Sequence, residues 1–265
     1  MKIFNRYKRV ISQFLNTSIL TEFEYSFNLI VEIFSVFGNS LGSLFIISIF
    51  YSNNNTLGGW PFYSSIIILG IYSILEGVTI TILYPNLRNL VSLVQEGTLD
   101  FILLKPINPQ FWLSLRTISP WGLPSFVVGI LLIVFGILKS NFLITPLNII
   151  LFSILLLTSV IILYSLWFII ATTTIWFVKI WNASEVLRSI LVAGRFPIDA
   201  YPYSLRTLFT FIIPIAFLTS LPAKILIGTS NIIVVISSIV VAASFFIFSL
   251  LFWRFSLRFY TSASS

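Results

Sequence analysis

Cysteine and histidine are both absent from the 265 residues, and methionine occurs once. Without cysteine there is no disulfide framework, thiolate nucleophile, iron–sulfur cluster or Cys-ligated zinc, and the redox compartment leaves no mark on the sequence. Without histidine, imidazole catalysis and imidazole metal ligation are excluded as well. Charge is scarce: Asp, Glu, Lys and Arg make up 9% of the chain, against about 25% in soluble domains, which excludes a freely soluble globular protein. Only eight residues are acidic against fifteen basic, a formal +7. In a soluble chain that excess would suggest nucleic acid. Here the basic residues are scattered between long apolar runs, so no nucleic acid is expected. There is no G-x-x-x-x-G-K-[ST] loop to cradle ATP phosphates, and no H-E-x-x-H, G-x-S-x-G or carboxylate-rich calcium loop. The chain is expected to be no enzyme and to bind no metal or cofactor itself.

What remains is apolar, 58% of the residues. Crossing a hydrocarbon core of roughly 30 Å takes about 20 mostly apolar residues, because an unpaired backbone group there costs several kcal/mol. Six stretches qualify, at about 27–51, 60–84, 120–138, 147–168, 205–221 and 232–253. This predicts an all-α integral membrane protein with six transmembrane helices in one domain, 27–265. Lys and Arg set its direction, since their translocation is disfavoured. With the N-terminus inside, the cytoplasmic segments hold Lys2, Arg6, Lys8, Arg9, Arg88, Lys105, Arg116, Lys179, Arg188, Arg195, Arg206, Arg254 and Arg258. Only Lys139 and Lys224 fall outside. Both termini are expected in the cytoplasm.

Residues 1–26 do not read as a cleavable signal, which would show an unbroken apolar core. Ile3, Phe4, Tyr7, Val10, Ile11, Phe14 and Leu15 recur at helical spacing among basic residues, the pattern of an amphipathic interfacial helix.

Two long connections, 85–119 and 179–204, face inward on this reading and carry Glu96, Asp100, Glu185 and Asp199. In the first, Leu87, Leu90, Val91 and Val94 form one apolar stripe, Gly97 can end the helix in the left-handed region, and Pro106 and Pro109 stop any continuation. The expectation is a short amphipathic helix parallel to the membrane, either a lid over the bundle or a lever moved by another protein. In the second, Arg195, Phe196, Pro197, Asp199 and Pro202 lie in a stretch with a glycine and two prolines, read as a rigid structural corner because no base stands beside a nucleophile. Glu32 and Glu76 lie inside spans, where a carboxylate neutralises a neighbouring cation, snorkels, or lines a polar path. Pro214 should kink the fifth span, and the turn with Pro222 and Gly228 has the composition to dip back into the membrane.

The run 96–106 (EGTLDFILLKP), followed by 196–202 (FPIDAYP) and 211–217 (FIIPIAF), resembles a bacterial branch of the type 2 ABC exporter permeases, formerly labelled a domain of unknown function. The likeness extends over most of the chain. It implies a plasma (inner) membrane permease without its own ATPase, paired with a second six-span permease, identical or related, and with two cytoplasmic ABC ATPase subunits that bind ATP and Mg. The loop after the second span then looks like the coupling helix, and the N-terminal helix like the superfamily's connecting helix. On this basis Glu96 and Asp100 are expected as polar contacts to the ATPase and Leu90 and Val94 as packing contacts, with Gly97, Lys105 and Pro106 in the same segment. Glu76 and Pro214 are candidates for the transport pathway. Substrates of the superfamily range over lipids, glycans, peptides and drugs. Two other readings stay open: an ion-gradient transporter with Glu76 or Glu32 as proton carrier, for which no internal repeat is visible, and a membrane assembly subunit that transports nothing.

Overall fold

The computed structural model describes residues 2–22, 26–52, 56–140, 142, 144–177, 183–228 and 232–261. The polar turn 53–55, Lys179, and the side chains of Lys2, Ile3, Phe4, Arg6 and Lys8 lie outside the described residues. The described chain is helical and contains no strand.

Apolar helices dominate because each buries its own backbone polar groups. α1 (Lys2–Glu22) precedes α2 (Ser26–Ser52), and α3 (Phe62–Val78) runs back antiparallel to it. α3 passes through a π-helical turn, Thr79–Leu83, into α4 (Tyr84–Gln95). The short helices α5 (Asp100–Leu103) and α6 (Pro109–Leu115) follow. Then come the long helices α7 (Leu123–Lys139) and α8 (Pro146–Thr172). The remaining helices are α9 (Ala183–Leu191), α10 (Tyr203–Thr207), α11 (Leu221–Leu226) and α12 (Ile232–Ser256).

Small residues decide how the bundle packs. Gly70 of α3 and Gly129 of α7 meet so closely that a Cβ on either would lie 2.7 Å from the other's carbonyl oxygen, the close backbone approach that membrane helices use where lipid supplies no hydrophobic drive. α8 and α12 are joined by a 2.6 Å hydrogen bond between Thr158 and Ser238. Ile67, Ile71, Leu87, Leu90, Trp167 and Phe168 form the buried centre. α2 stands outside it and leaves Phe34, Leu41 and Phe45 exposed.

Two expectations change here. The amphipathic stretch 87–94 is not a separate helix lying parallel to the membrane: it continues the second span as one helix, Phe62–Gln95. Pro85 has no N–H and would break an ordinary helix. The π turn absorbs the mismatch, with Tyr84 N–H reaching Thr79 O. The Thr81 carbonyl, which residue 85 would have served, accepts instead from Ser119 N–H at 2.9 Å. Past the end of α4, Gly97 adopts φ +68°, as its position suggested.

The second change concerns the fifth crossing. Residues 183–200 follow α3 along its length. Glu185 accepts from Tyr84 at one end (3.1 Å) and Asp199 accepts from Trp60 Nε1 at the other (2.9 Å). The corner 196–202, expected beside the first long loop, therefore sits at the opposite end of α3, and so does Arg206. The apolar run 205–221, expected as a crossing kinked at Pro214, is split between Tyr203–Ile212 and Ala216–Leu226, bent by 77°. Pro214 sits at the bend, where a residue without N–H interrupts the ladder. Both arms start at Asp199, through Arg206 and Lys224. The hairpin reaches Ser159 of α8, whose hydroxyl donates to Phe217 O at 2.9 Å. That is eleven residues, about 16 Å at 1.5 Å per residue, along α8 from Asn148, which lies beside Gly228. Among the described residues five helices are long and apolar enough to cross a membrane, and the bent pair makes a sixth only if it is counted as one span; residues 183–200 are not among them.

Candidate functional site

Polar side chains on a lipid-embedded helix are costly, so their arrangement is informative. On α2 Glu32, Ser35, Asn39 and Ser43 recur every three or four residues and form one polar stripe on an otherwise apolar helix. The stripe faces Tyr72, Ser73 and Glu76 of α3, Arg188 of α9, and Arg195 just after it. Between them lies a cleft of about 250 Å³.

Its charges are treated unequally. Glu76, 17% exposed, accepts from Arg188 Nε at 3.1 Å and from the terminal nitrogen at 2.6 Å. The pairing lets both charges remain inside the bundle, where either alone would be expensive. Glu76 thus neutralises a cation from another segment and stands in the wall of the cleft. Arg195 differs. Its guanidinium stacks 4.9 Å over the Tyr72 ring and donates to Ser43 Oγ at 3.3 Å. Its Nε is buried without a hydrogen bond. No carboxylate lies within ion-pair distance of it among the described residues.

The other candidates from the 196–202 corner serve a different end of the molecule. Asp199, 12% exposed, accepts from Trp60, Lys224 (2.9 Å) and Arg206 (2.6 Å). Burial works against its ionisation, but the hydrogen bonds from Lys224 and Trp60 and the charges of Lys224 and Arg206 outweigh it, so its carboxyl is held below the usual range. Gly58, at φ +60°, packs on the Asp199 carbonyl, where any side chain would collide. Pro197 is buried and Phe196 half-buried beside this clasp, while Pro202 begins α10. Pro214 lies at the hairpin bend and is not among the residues that line the cleft.

The loop after α4 forms a second surface. Leu90 is fully buried and Val94 nearly so, both facing the bundle, so neither is available to a soluble partner; the apolar stripe that looked like a docking face holds α4 to its own core. The exposed apolar groups are Phe101 (69% exposed) and Leu104 (81%). Glu96 and Pro106 are exposed and Asp100 half-buried around them. Lys105 lies 3.6 Å over the Trp112 ring, and its pKa is lowered by burial and by Arg116. Beneath, α1 anchors the loop: Phe14 meets Trp112 and Tyr7 meets Phe111 edge to face, and Ser18 Oγ accepts from Ile118 N–H at 3.1 Å.

Sequence reasoning missed the Ser35–Asn39–Ser43 stripe, whose spacing beside Glu32 was the available signal. It also missed Arg188 as the partner of Glu76, for which nothing in the sequence pointed. Among the described residues no group of three Asp or Glu side chains is suited to a metal ion.

The sequence model of one family, described as ABC-2 family transporter protein, matches residues 37–264. No curated protein matches the chain significantly.

Proposed function

The chain belongs to the ABC-2 transporter family, and from that membership we propose that it is the membrane permease of an ATP-driven exporter of the bacterial plasma membrane, powered by two separate cytoplasmic ATPase subunits and paired with a second permease. The observation that carries the reading is the polar cleft between α2, α3 and residues 188–195, lined by Glu32, Glu76, Arg188 and Arg195. Its open side is bounded by α2, the least covered helix, where a second permease would complete the wall.

On this reading the Tyr84 end of α3 and both termini face the cytoplasm, and the Asp199 clasp faces outward. ATP binding draws the ATPase subunits together and displaces the loop 96–106 through Phe101 and Leu104, with Glu96 and Asp100 as polar contacts. Because α4 and α3 are one helix, the displacement passes along it to Glu76 and Tyr72 in the cleft wall. ATP drives the cycle only in so far as it binds the inward-open and outward-open states with different free energy. An ion-gradient mechanism has less support: Glu76 is tied to Arg188 in an ion pair, and the family match is to ABC-2 transporters.

Copurification in mild detergent tests the proposal. A soluble protein with a phosphate-binding loop should accompany the chain, and Phe101→Ser with Leu104→Ser should release it. Proteoliposomes holding the chain alone that concentrate cargo on a proton gradient, with nucleotide withheld, would overturn it.

A further inference from the structure

An arginine offers five donors in a planar fork that matches the oxygens of a phosphate or carboxylate. Arg195 uses one of them on Ser43, at the long distance of 3.3 Å. Its stacking on Tyr72 fixes the plane of the guanidinium. A cation placed in this layer without a carboxylate marks a functional position. The surroundings select the sign of what it meets. Glu76 is cancelled by Arg188, and Glu32 is eleven residues from Ser43 along α2, about 16 Å away. The positive charge left uncompensated in the cleft is therefore that of Arg195, and beside it the Asn39 amide keeps one N–H beyond the one given to Ser35 O, whereas the Ser43 and Ser73 hydroxyls donate to Asn39 O and Leu69 O.

Size and opening limit the ligand further. About 250 Å³ accommodates a head group but falls short of typical pockets for drug-sized molecules, at roughly 300–1,000 Å³. The flank of α2 beside the cleft is apolar and exposed at Phe34 and Leu41. We infer that the cleft takes an anionic amphiphile, whose phosphate or carboxylate is held by Arg195 with the Asn39 amide while its hydrocarbon chain lies in lipid along α2. The inference rests on the export reading for its biological meaning, but binding can be measured without it.

The test is native mass spectrometry of the purified, delipidated full-length chain titrated with dodecyl phosphate, with dodecanol and inorganic phosphate as comparators and neither nucleotide nor ATPase present. Dodecyl phosphate should fill one site. Arg195→Gln should weaken it about tenfold or more, the scale of a lost charge-assisted contact. Arg195→Lys, which keeps the charge but not the planar fork, should recover only part of the binding, and Asn39→Leu should weaken it modestly. If Arg195→Gln fails to fold, the Lys and Asn39 variants carry the same comparison. Equal binding by wild type and Arg195→Gln overturns the inference, as does dodecanol binding as tightly as dodecyl phosphate. Displacement by inorganic phosphate at matching concentration would make the ligand a free anion and refute the amphiphile. Arg195-dependent binding without ATP-driven export would sink the transport reading alone. Export indifferent to Arg195 would sink this inference alone.

Discussion

Replacing Asp199 by alanine removes the acceptor shared by three donors from three parts of the chain. The buried indole N–H of Trp60 would be left unsatisfied, at about 1–3 kcal/mol. Lys224 and Arg206 would lose their carboxylate, but both are partly exposed (31% and 52%), so solvent screening limits each to less than about 1 kcal/mol. The sum is about 3 kcal/mol, a fall of roughly 8 °C in unfolding temperature for a chain of this size. Asp199→Asn keeps a carbonyl oxygen for Trp60 and should fall by about half as much. The assay is thermal unfolding of the detergent-solubilised protein, followed by tryptophan fluorescence, across pH. Because the folded carboxyl is depressed below its ordinary 3.8, its contribution is present in full above that value and is lost as pH falls through the folded pKa. The gap between wild type and Asp199→Asn should be constant from pH 7 to about 4.5 and close only below 3.8. An alanine variant that melts with wild type would refute the reasoning, as would a gap that closes between pH 5 and 7.

Leu90→Ala should lower stability by about 2–5 kcal/mol, because the side chain is fully buried. Phe101→Ser and Leu104→Ser should each change it by less than about 0.5 kcal/mol; chemical or thermal denaturation of the three variants checks the contrast. Gly97→Ala forces a Cβ into φ +68° and should cost about 1–2 kcal/mol, read as a lower unfolding temperature with helical content unchanged by circular dichroism.

The membrane class and most helices were legible because apolar length is a direct physical requirement of the bilayer. The errors arose where one side chain or backbone group was satisfied by a distant one. Pro85 reads as a break, and only Ser119, thirty-four residues later, supplies the N–H that lets the helix continue. The stretch 183–200 reads as a polar loop because of Arg188, Arg195 and Asp199. Glu76 and the Trp60–Lys224–Arg206 group neutralise two of those charges, and Tyr72 and Ser43 hold the third. The run 205–221 is apolar enough to cross, and the break at Pro214 was legible because proline lacks the N–H that the ladder needs there. The Leu90–Val94 stripe was correctly seen as amphipathic, but periodicity does not reveal which partner covers the apolar face, and here it is the chain's own core. The cleft was half legible: Glu76 stood out as an ionised group in a span, while serines and an asparagine of modest polarity did not.

The Asp199 clasp also sets an order of events during synthesis. Trp60 emerges early, Asp199 and Arg206 late, and Lys224 only when most of the polypeptide has left the ribosome. Until then the indole has no acceptor and the newly inserted hairpin no tether, so the first two crossings must wait in the bilayer with an unfilled socket. A truncated or stalled chain would display that vacancy, giving membrane quality control a feature by which to tell unfinished copies from finished ones.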